Sequence, residues 1–434
     1  MVNVLLTIFW GIVLLSIIVV IHEGGHFLAA RACKVRVLEF MVGLPGPRLG
    51  YRKRGGQTRF GVTAIPLGGY ARIAGMDEWQ DESNLPRAAA LLYKYGEITD
   101  ETAAEAGEAL DFDLIESLDI LADWGTAEKV KLGHGAVKYA APETAEFELG
   151  EARTIHNPVA FIAHERKQTY ISLPWWKRLV ILFAGPCANL LTAIIVVTLV
   201  LTLAGSTQGS LTLDDAPADL PAYAAGIRAG DTITSVDGVE VATWDEFVEA
   251  VSSVEEGQTV EIGYERDGVA NTASIQTVVS PDTGNVVIGV TAGLETVKMS
   301  PGKAFVESIS YIGQVTVAIC KLIYPATTME TLSQSTSLIG ISVVAKQAAE
   351  LGFINFMWLA AILSISIGLM NLLPIMPLDG GRIIVETIQR IRRKVLDPRA
   401  INAYTLAGIT FVILLFVVVT GQDIHNIATG GFPW

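Results

Sequence analysis

The chain has 434 residues, 51% of them hydrophobic and 18% charged, which is too apolar for an ordinary soluble protein. Its net charge of −14 is concentrated, because residues 77–174 hold 20 acidic and 8 basic residues; that acidity argues against a nucleic-acid partner. Three cysteines at unrelated spacings, Cys33, Cys187 and Cys320, exclude a disulfide framework and a cysteine zinc cluster.

The first element is an apolar run from Val2 to Ile21 that continues into "IHEGGHFLAA", residues 21–30. It lacks a basic leader and is longer than the core of a signal peptide, so it reads as a retained membrane span, residues 1–30. Residues 31–76 alternate β-branched and aromatic residues around the turn sequence "RKRGG" and carry nine Lys or Arg against Glu39 alone. They predict a small antiparallel sheet, a membrane-associated β-hairpin region on the cytoplasmic side. Residues 77–174 show apolar residues at helical spacing, with a helix start near "EITDETAAEA", and predict a small acidic cytoplasmic helical insertion.

A second span is expected over residues 175–204, with Leu179–Leu203 as its apolar stretch. Residues 205–296 hold short β-type runs and one helical run, "TWDEFVEAVSS"; the phrase "AYAAGIRAGDTITSVDGVEV" resembles a PDZ domain, whose strand–helix groove accepts an extended peptide end. Within residues 297–355, the stretch 304–326 is apolar but broken by Glu307, Gln314 and Lys321, which favours an interfacial amphipathic helix over a fifth span. A third span ends in prolines and fills residues 356–381. Residues 382–434 combine a basic loop with a fourth span centred on Tyr404–Thr420. Basic residues before the second span and between the third and fourth place those loops in the cytoplasm, so the PDZ-like domain and both termini face outward. The fold class is thus a polytopic α-helical membrane protein with four transmembrane helices and an extracytoplasmic α+β PDZ domain, resident in the cytoplasmic membrane and in contact with membrane lipid.

The chemistry lies in the first and third spans. His22 and His26 are four residues apart on one helix face, about 6 Å from each other, and can grip one ion. Glu23 between them suits a base that takes a proton from water, the H-E-x-x-H pattern. Zinc wants a third protein ligand, and Asp379 is the other ionisable group at span depth, where a carboxylate costs about 2.5–3.5 kcal/mol without a partner. Pro374 and Pro377 break the helix before it. The topology gives an independent check: if residues 304–326 do not cross, His22, His26 and Asp379 reach one depth; if they cross, roughly 30 Å separates them. His134, His156, His164 and His425 lack ligand spacing and read as surface residues. Gly24 and Gly25 suggest a close neighbour, most simply ordinary helix packing.

At these residues a family likeness becomes clear. "HEGGH", "FAGPCAN" (Phe183–Asn189), "NLLPIMPLDGG" (Asn371–Gly381) and the single PDZ-like domain together resemble the site-2 protease family of intramembrane zinc metalloproteases, most nearly the bacterial type that cleaves anti-sigma factors. "PLGGY" (Pro66–Tyr70) looks like the family's membrane-associated β-region. The resemblance implies Zn2+ held by His22, His26 and Asp379, Glu23 as general base, and Asn371 helping to hold an unwound substrate. It also implies cleavage within single-pass transmembrane substrates, anti-sigma-factor-like proteins or signal-peptide remnants, and close packing of "GPCAN" against the core. The chain departs from the family in having "SLIGISVV" where relatives often carry Gly-Pro, and in its long acidic insertion. A second reading, from another class, is a catalytically silent membrane scaffold with structural zinc and a peptide-binding PDZ domain.

Overall fold

The N-terminal apolar run forms a single helix, α1 (Val2–Ala32), 31 residues and about 46 Å long. The computed structural model describes residues 2–65, 68–76, 81–132, 135–280, 285–323 and 337–429. It separates into two units, residues 1–197 with 307–434, and residues 198–306.

In the first unit α1 leads into four strands, β1 (Val37–Val42), β2 (Arg48–Tyr51), β3 (Arg59–Thr63) and β4 (Gly69–Ile73). Their order is β2-β3-β1-β4. "RKRGG" closes the β2–β3 hairpin, with Gly55 at φ 71°. The expected antiparallel sheet is corrected to a mixed one, because β1 and β3 pair in parallel. The physical reason is the hairpin itself: β2 forms the outer edge, so β3 returns beside β1 running in the same direction. Phe27 of α1 packs edge-on against Phe40 and Phe60, at 5.4 and 5.7 Å between rings, fixing the sheet to the helix. Of the expected "PLGGY" stretch, Pro66 and Leu67 lie outside the described residues.

The insertion is not purely helical. Helices α2 (Leu85–Tyr95), α3 (Asp100–Leu110), α4 (Leu114–Asp123) and α5 (Pro158–Arg166) are joined by a three-stranded sheet of β5 (Glu97–Thr99), β6 (Glu128–Lys131) and β7 (Val137–Ala140). Strands of three or four residues, two of them carrying lysines, give too short a period-2 signal to stand out from loops. Its core is Leu85, Leu92, Leu114, Leu118, Leu121 and Trp124, all at most 2% exposed. Thr99 caps α3 by accepting from Thr102 N–H at 3.3 Å, at the predicted start. The insertion meets the basic sheet through ion pairs and backbone contacts. Arg36 pairs with Glu165 at 2.7 Å and donates to the Trp124 carbonyl at 2.8 Å; Arg52 pairs with Glu128; Asp123 accepts from Gly75 N–H at 3.1 Å. In this contact the acidity of the insertion answers the basicity of residues 31–76.

Next in the chain is α6 (Trp175–Leu203). In the second unit, β8 (Ser206–Asp215), α7 (Pro221–Ala224), β9 (Thr232–Val236), β10 (Val239–Glu240), α8 (Trp244–Ser252), β11 (Thr259–Arg266) and β12 (Val269–Gln276) follow in order. After a short pair, β13 (Val278–Val279) and β14 (Val286–Val287), comes β15 (Thr291–Val297). The sheet runs β12-β11-β9-β8-β15 with β10 on β9, and Phe247 and Val251 of α8 bury against Ile233, Val236 and Ile262.

The remaining helices are α9 (Pro301–Ile323), α10 (Leu338–Leu351), α11 (Phe353–Met370), α12 (Asp379–Arg392) and α13 (Pro398–Thr429). Among the described residues, four helices are long and apolar enough to cross a membrane: Asn3–Ala32, Trp175–Leu203, Phe353–Met370 and Pro398–His425. The helix α9 is not among them, as its interrupting polar residues suggest; residues 324–326 lie outside the described residues. Trp10 and Phe356 meet edge-on, with ring centroids 5.2 Å apart, near the starts of α1 and α11, so these two helices begin side by side.

In the second unit Asp231 is 1% exposed and accepts from Arg266 Nε and Nη2, both at 2.7 Å, and from Arg228 N–H at 2.8 Å. Burial pushes its pKa up, but these donors outweigh burial and hold it below the ordinary carboxylate value. Its stabilisation is therefore present above the unfolded pKa of about 3.9 and is lost as pH falls through the folded value. We predict that acidifying the intact protein below that range lowers hydrogen-exchange protection of residues 206–297. The variant Asp231→Asn should be less protected at neutral pH and should show a flatter acid profile; an unchanged profile contradicts this assignment.

Candidate metal centre

His22 and His26 lie one turn apart near the end of α1, 7% and 6% exposed. That face of α1 is pressed onto α6. A Cβ at Gly25 would run into the Ala184 carbonyl, and one at Gly185 into the His26 ring, so both glycines are set by close approach. The close neighbour that Gly25 admits is thus the second span rather than substrate or the third; nothing lies within 4 Å of a Cβ at Gly24.

Asp379 arrives from the other end of the chain. After α11 the backbone turns through residues 371–378, where Pro374 and Pro377 forbid a regular helix, and α12 restarts with Asp379 as its first residue. Gly380 N–H donates to the Asn371 carbonyl at 2.7 Å, and a Cβ at Gly380 would meet the Leu372 and Leu373 carbonyls, so the turn closes only around a glycine. Tyr404 of α13 donates to the Pro374 carbonyl at 2.6 Å and holds the turn from outside.

The three groups meet at one point. Nε2 of His22 and Nε2 of His26 lie 3.1 and 3.2 Å from Oδ2 of Asp379, and 3.2 Å from each other. Nδ1 of His26 is 2.7 Å from the Ile181 carbonyl, which can only accept, so Nδ1 carries the proton and Nε2 presents a lone pair. Nδ1 of His22 lies 3.4 Å from the fully buried Asn189 amide, whose Oδ1 has no partner; turned toward His22, that oxygen accepts from Nδ1–H and leaves a second lone pair at Nε2. Oδ2 of Asp379 is itself shielded and without a hydrogen-bond donor among the described residues. With both imidazoles in these tautomers, three lone pairs face one another and repel unless a cation joins them. Tetrahedral ligation at about 2.0–2.2 Å separates ligand atoms by about 3.3–3.6 Å, close to the triangle found, so the donor set fits zinc.

Glu23, on the same turn of α1, directs Oε2 at Ala71 N–H of β4, 2.8 Å away. Because β4 pairs with β1 on its other side, this bond is made at the free edge of the sheet. Asn371 is half-buried and donates from Nδ2 to the Ile367 carbonyl of its own helix at 2.9 Å, which stabilises the broken end of α11. His156, His164 and His425 are exposed and away from the cluster; His134 lies outside the described residues. Sequence reasoning missed the supporting shell on α6: the Ile181 carbonyl, Gly185 and Asn189, the last also fixed by Ser364, which donates to its carbonyl at 3.1 Å. The "FAGPCAN" stretch was the available signal, since a buried Asn in an apolar helix needs a partner.

The sequence profile described as Peptidase family M50 matches residues 10–415. Zinc metalloprotease RasP of Shouchella clausii is 30% identical over 440 residues, covering 96% of this chain and 98% of its own. Regulator of sigma-W protease RasP of Bacillus subtilis is 26% identical over 428 residues, covering 97% and 99%. The solved PDZ domain of an SdrC-like protein from Listeria innocua is 31% identical over 19% of this chain and 92% of its own, with a TM-score of 0.18.

We predict that Gly185→Ala, by displacing the His26 ring, weakens zinc binding at least about tenfold in chelator competition. Gly24→Ala, facing open space, should leave affinity unchanged. Wild-type affinity in Gly185→Ala contradicts the packing account.

Proposed function

The chain belongs to peptidase family M50, the site-2 protease family, and from that premise we propose that it cuts peptide bonds within the transmembrane segments of single-pass membrane proteins. It is a zinc metalloprotease, which sets aside the silent-scaffold alternative. The observation that carries the proposal is the triangle of His22, His26 and Asp379 beside a glutamate tied to a free strand edge.

In the proposed mechanism His22, His26 and Asp379 hold the zinc, with Asn189 and the Ile181 carbonyl orienting the two imidazoles. A bound zinc supplies Lewis acidity toward a carbonyl and toward a water molecule. Glu23 takes the proton of the attacking water and returns it to the leaving nitrogen. The Ala71 N–H keeps the Glu23 carboxylate at the strand edge until substrate arrives. A peptide bond inside a helix is masked by its own hydrogen bonds, so the substrate unwinds and pairs its backbone with the outer edge of β4 as an added strand. That pairing lays the scissile bond alongside Glu23. Asn371, at the broken end of α11, is proposed to help hold the unwound segment.

Substrates of the anti-sigma-factor kind, or signal-peptide remnants, fit this chemistry; one relative is named a regulator of sigma-W protease. Basic clusters in residues 31–76 and 382–399 support a cytoplasmic-membrane location with the metal centre toward the cytoplasm and residues 205–296 outside. There the PDZ-like unit would bind peptide ends and exclude substrates with bulky outer domains. Deleting residues 207–295 should then permit cleavage of uncut substrates.

The central test uses Glu23→Gln, which preserves shape and removes the base. Cleavage of a panel of single-span substrates should fall about 10²–10⁴-fold while zinc stays bound. Cleavage at the wild-type rate contradicts the role given to Glu23. Substrates N-methylated at alternate residues across the cut site should be cleaved at least about tenfold more slowly, because each lost N–H removes a strand hydrogen bond. Equal rates would dismiss the β4 edge as the docking strand.

A further inference from the structure

At the start of the candidate span α6, the structure holds a cleft of ≈ 470 Å³ between that helix and the C-terminal half of α12. Its lining is strongly basic: Arg178, Arg390, Arg393 and Lys394 against Glu386. Arg178 is committed, pairing with Glu386 at 3.2 Å and donating to the Leu173 and Ile171 carbonyls at 3.0 and 2.6 Å. Arg390, Arg393 and Lys394 are exposed and join none of the ion pairs formed among the described residues.

Two buried donors line the same cleft without a partner: Nε1 of Trp175 and Nε2 of Gln389. Gln389 is only 9% exposed. Buried donors are almost always satisfied, so a pair of orphans beneath three uncommitted cations marks a place built for an acceptor that carries negative charge. An adjoining cleft of ≈ 300 Å³ shares Arg178, Glu386 and Gln389 and continues past Met376, Val385 and Ile401 to the start of α13. Its lining there is largely apolar, with Arg382, Asn402 and Thr405 among it.

We propose that this cleft binds the phosphate of an anionic membrane phospholipid. The Trp175 and Gln389 N–H groups donate to the phosphate oxygens, Arg390, Arg393 and Lys394 surround the charge, and the adjoining cleft takes the glycerol and upper acyl chain. Three features select a lipid over free phosphate: a tryptophan at the start of the candidate span α6, a basic cluster at the end of α12 shortly before the candidate span α13, and a largely apolar extension that inorganic phosphate would leave empty. The basic run from Arg390 to Lys394, readable from sequence only as an orientation anchor, thereby acquires a ligand. The phosphate-binding end of the site, at Gln389, lies ten residues along α12 from Asp379, about 15 Å of helix, and neither cleft is lined by His22, His26 or Asp379.

The test is native mass spectrometry of the full-length protein in detergent, titrated with phosphatidylglycerol, phosphatidylcholine or inorganic phosphate. Phosphatidylglycerol should be retained in preference to phosphatidylcholine, and excess inorganic phosphate should not displace it. Trp175→Phe and Gln389→Leu, which alter no charge, should each reduce retention about fivefold or more, as expected for loss of a hydrogen bond to a charged group. The exposed pair Arg393→Gln with Lys394→Gln, which spares the packing, should do the same. Equal retention of the two lipids, or wild-type retention by all three variants, overturns the site. Displacement by inorganic phosphate overturns the lipid assignment and leaves a free-anion site.

Discussion

Two imidazole nitrogens and a carboxylate oxygen, brought within 3.2 Å of one another, form the constraint around which the helices of the first unit are arranged. In apolar surroundings such a cluster is repulsive unless a cation neutralises it. The neighbouring segments hold the three in place. Gly25 and Gly185 let α1 and α6 approach until His26 reaches the Ile181 carbonyl, and Asn189 sets the second imidazole. The broken end of α11, closed by Gly380 and propped by Tyr404, presents the carboxylate. Each of these contacts satisfies a backbone or side-chain polar group that hydrocarbon would leave unpaired.

The second constraint is geometric. The helices α1 and α11 begin side by side at Trp10 and Phe356 and end at the same cluster, so they run in one direction. Two parallel helices require the intervening chain to return to the starting side. The mixed sheet lies where α1 ends, and its edge strand places an amide on Glu23. In the mechanism proposed above, a substrate strand pairing at that edge displaces Glu23, which couples docking to release of the carboxylate.

How much of this was legible depends on which physical signal each residue leaves. His22, Glu23 and His26 are readable because helical spacing alone puts them on one arc. Asp379 is readable because a carboxylate beside two prolines at span depth must be neutralised by a partner to persist there. The apolar runs were legible from length, with ends shifted by a few residues because helices continue past the hydrocarbon-like stretch: the fourth runs Pro398–His425 rather than Tyr404–Thr420. The strands of the insertion were not legible, since Glu128–Lys131 and Val137–Ala140 are too short and too charged to show a period. The parallel β1–β3 pairing is a long-range choice that no local pattern encodes. The donors at Trp175 and Gln389 look ordinary in sequence; only their burial without partners makes them informative.

The account stands on one cation held by side chains from α1 and α12. Zinc K-edge absorption spectroscopy of intact protein, compared with metal content in His22→Ala, His26→Ala and Asp379→Ala, tests this directly. One zinc per chain with two imidazole nitrogens and a carboxylate oxygen in its shell, lost from each variant, is the predicted result. A metal-free protein, or a zinc that survives the Asp379 substitution with its ligand shell intact, contradicts it.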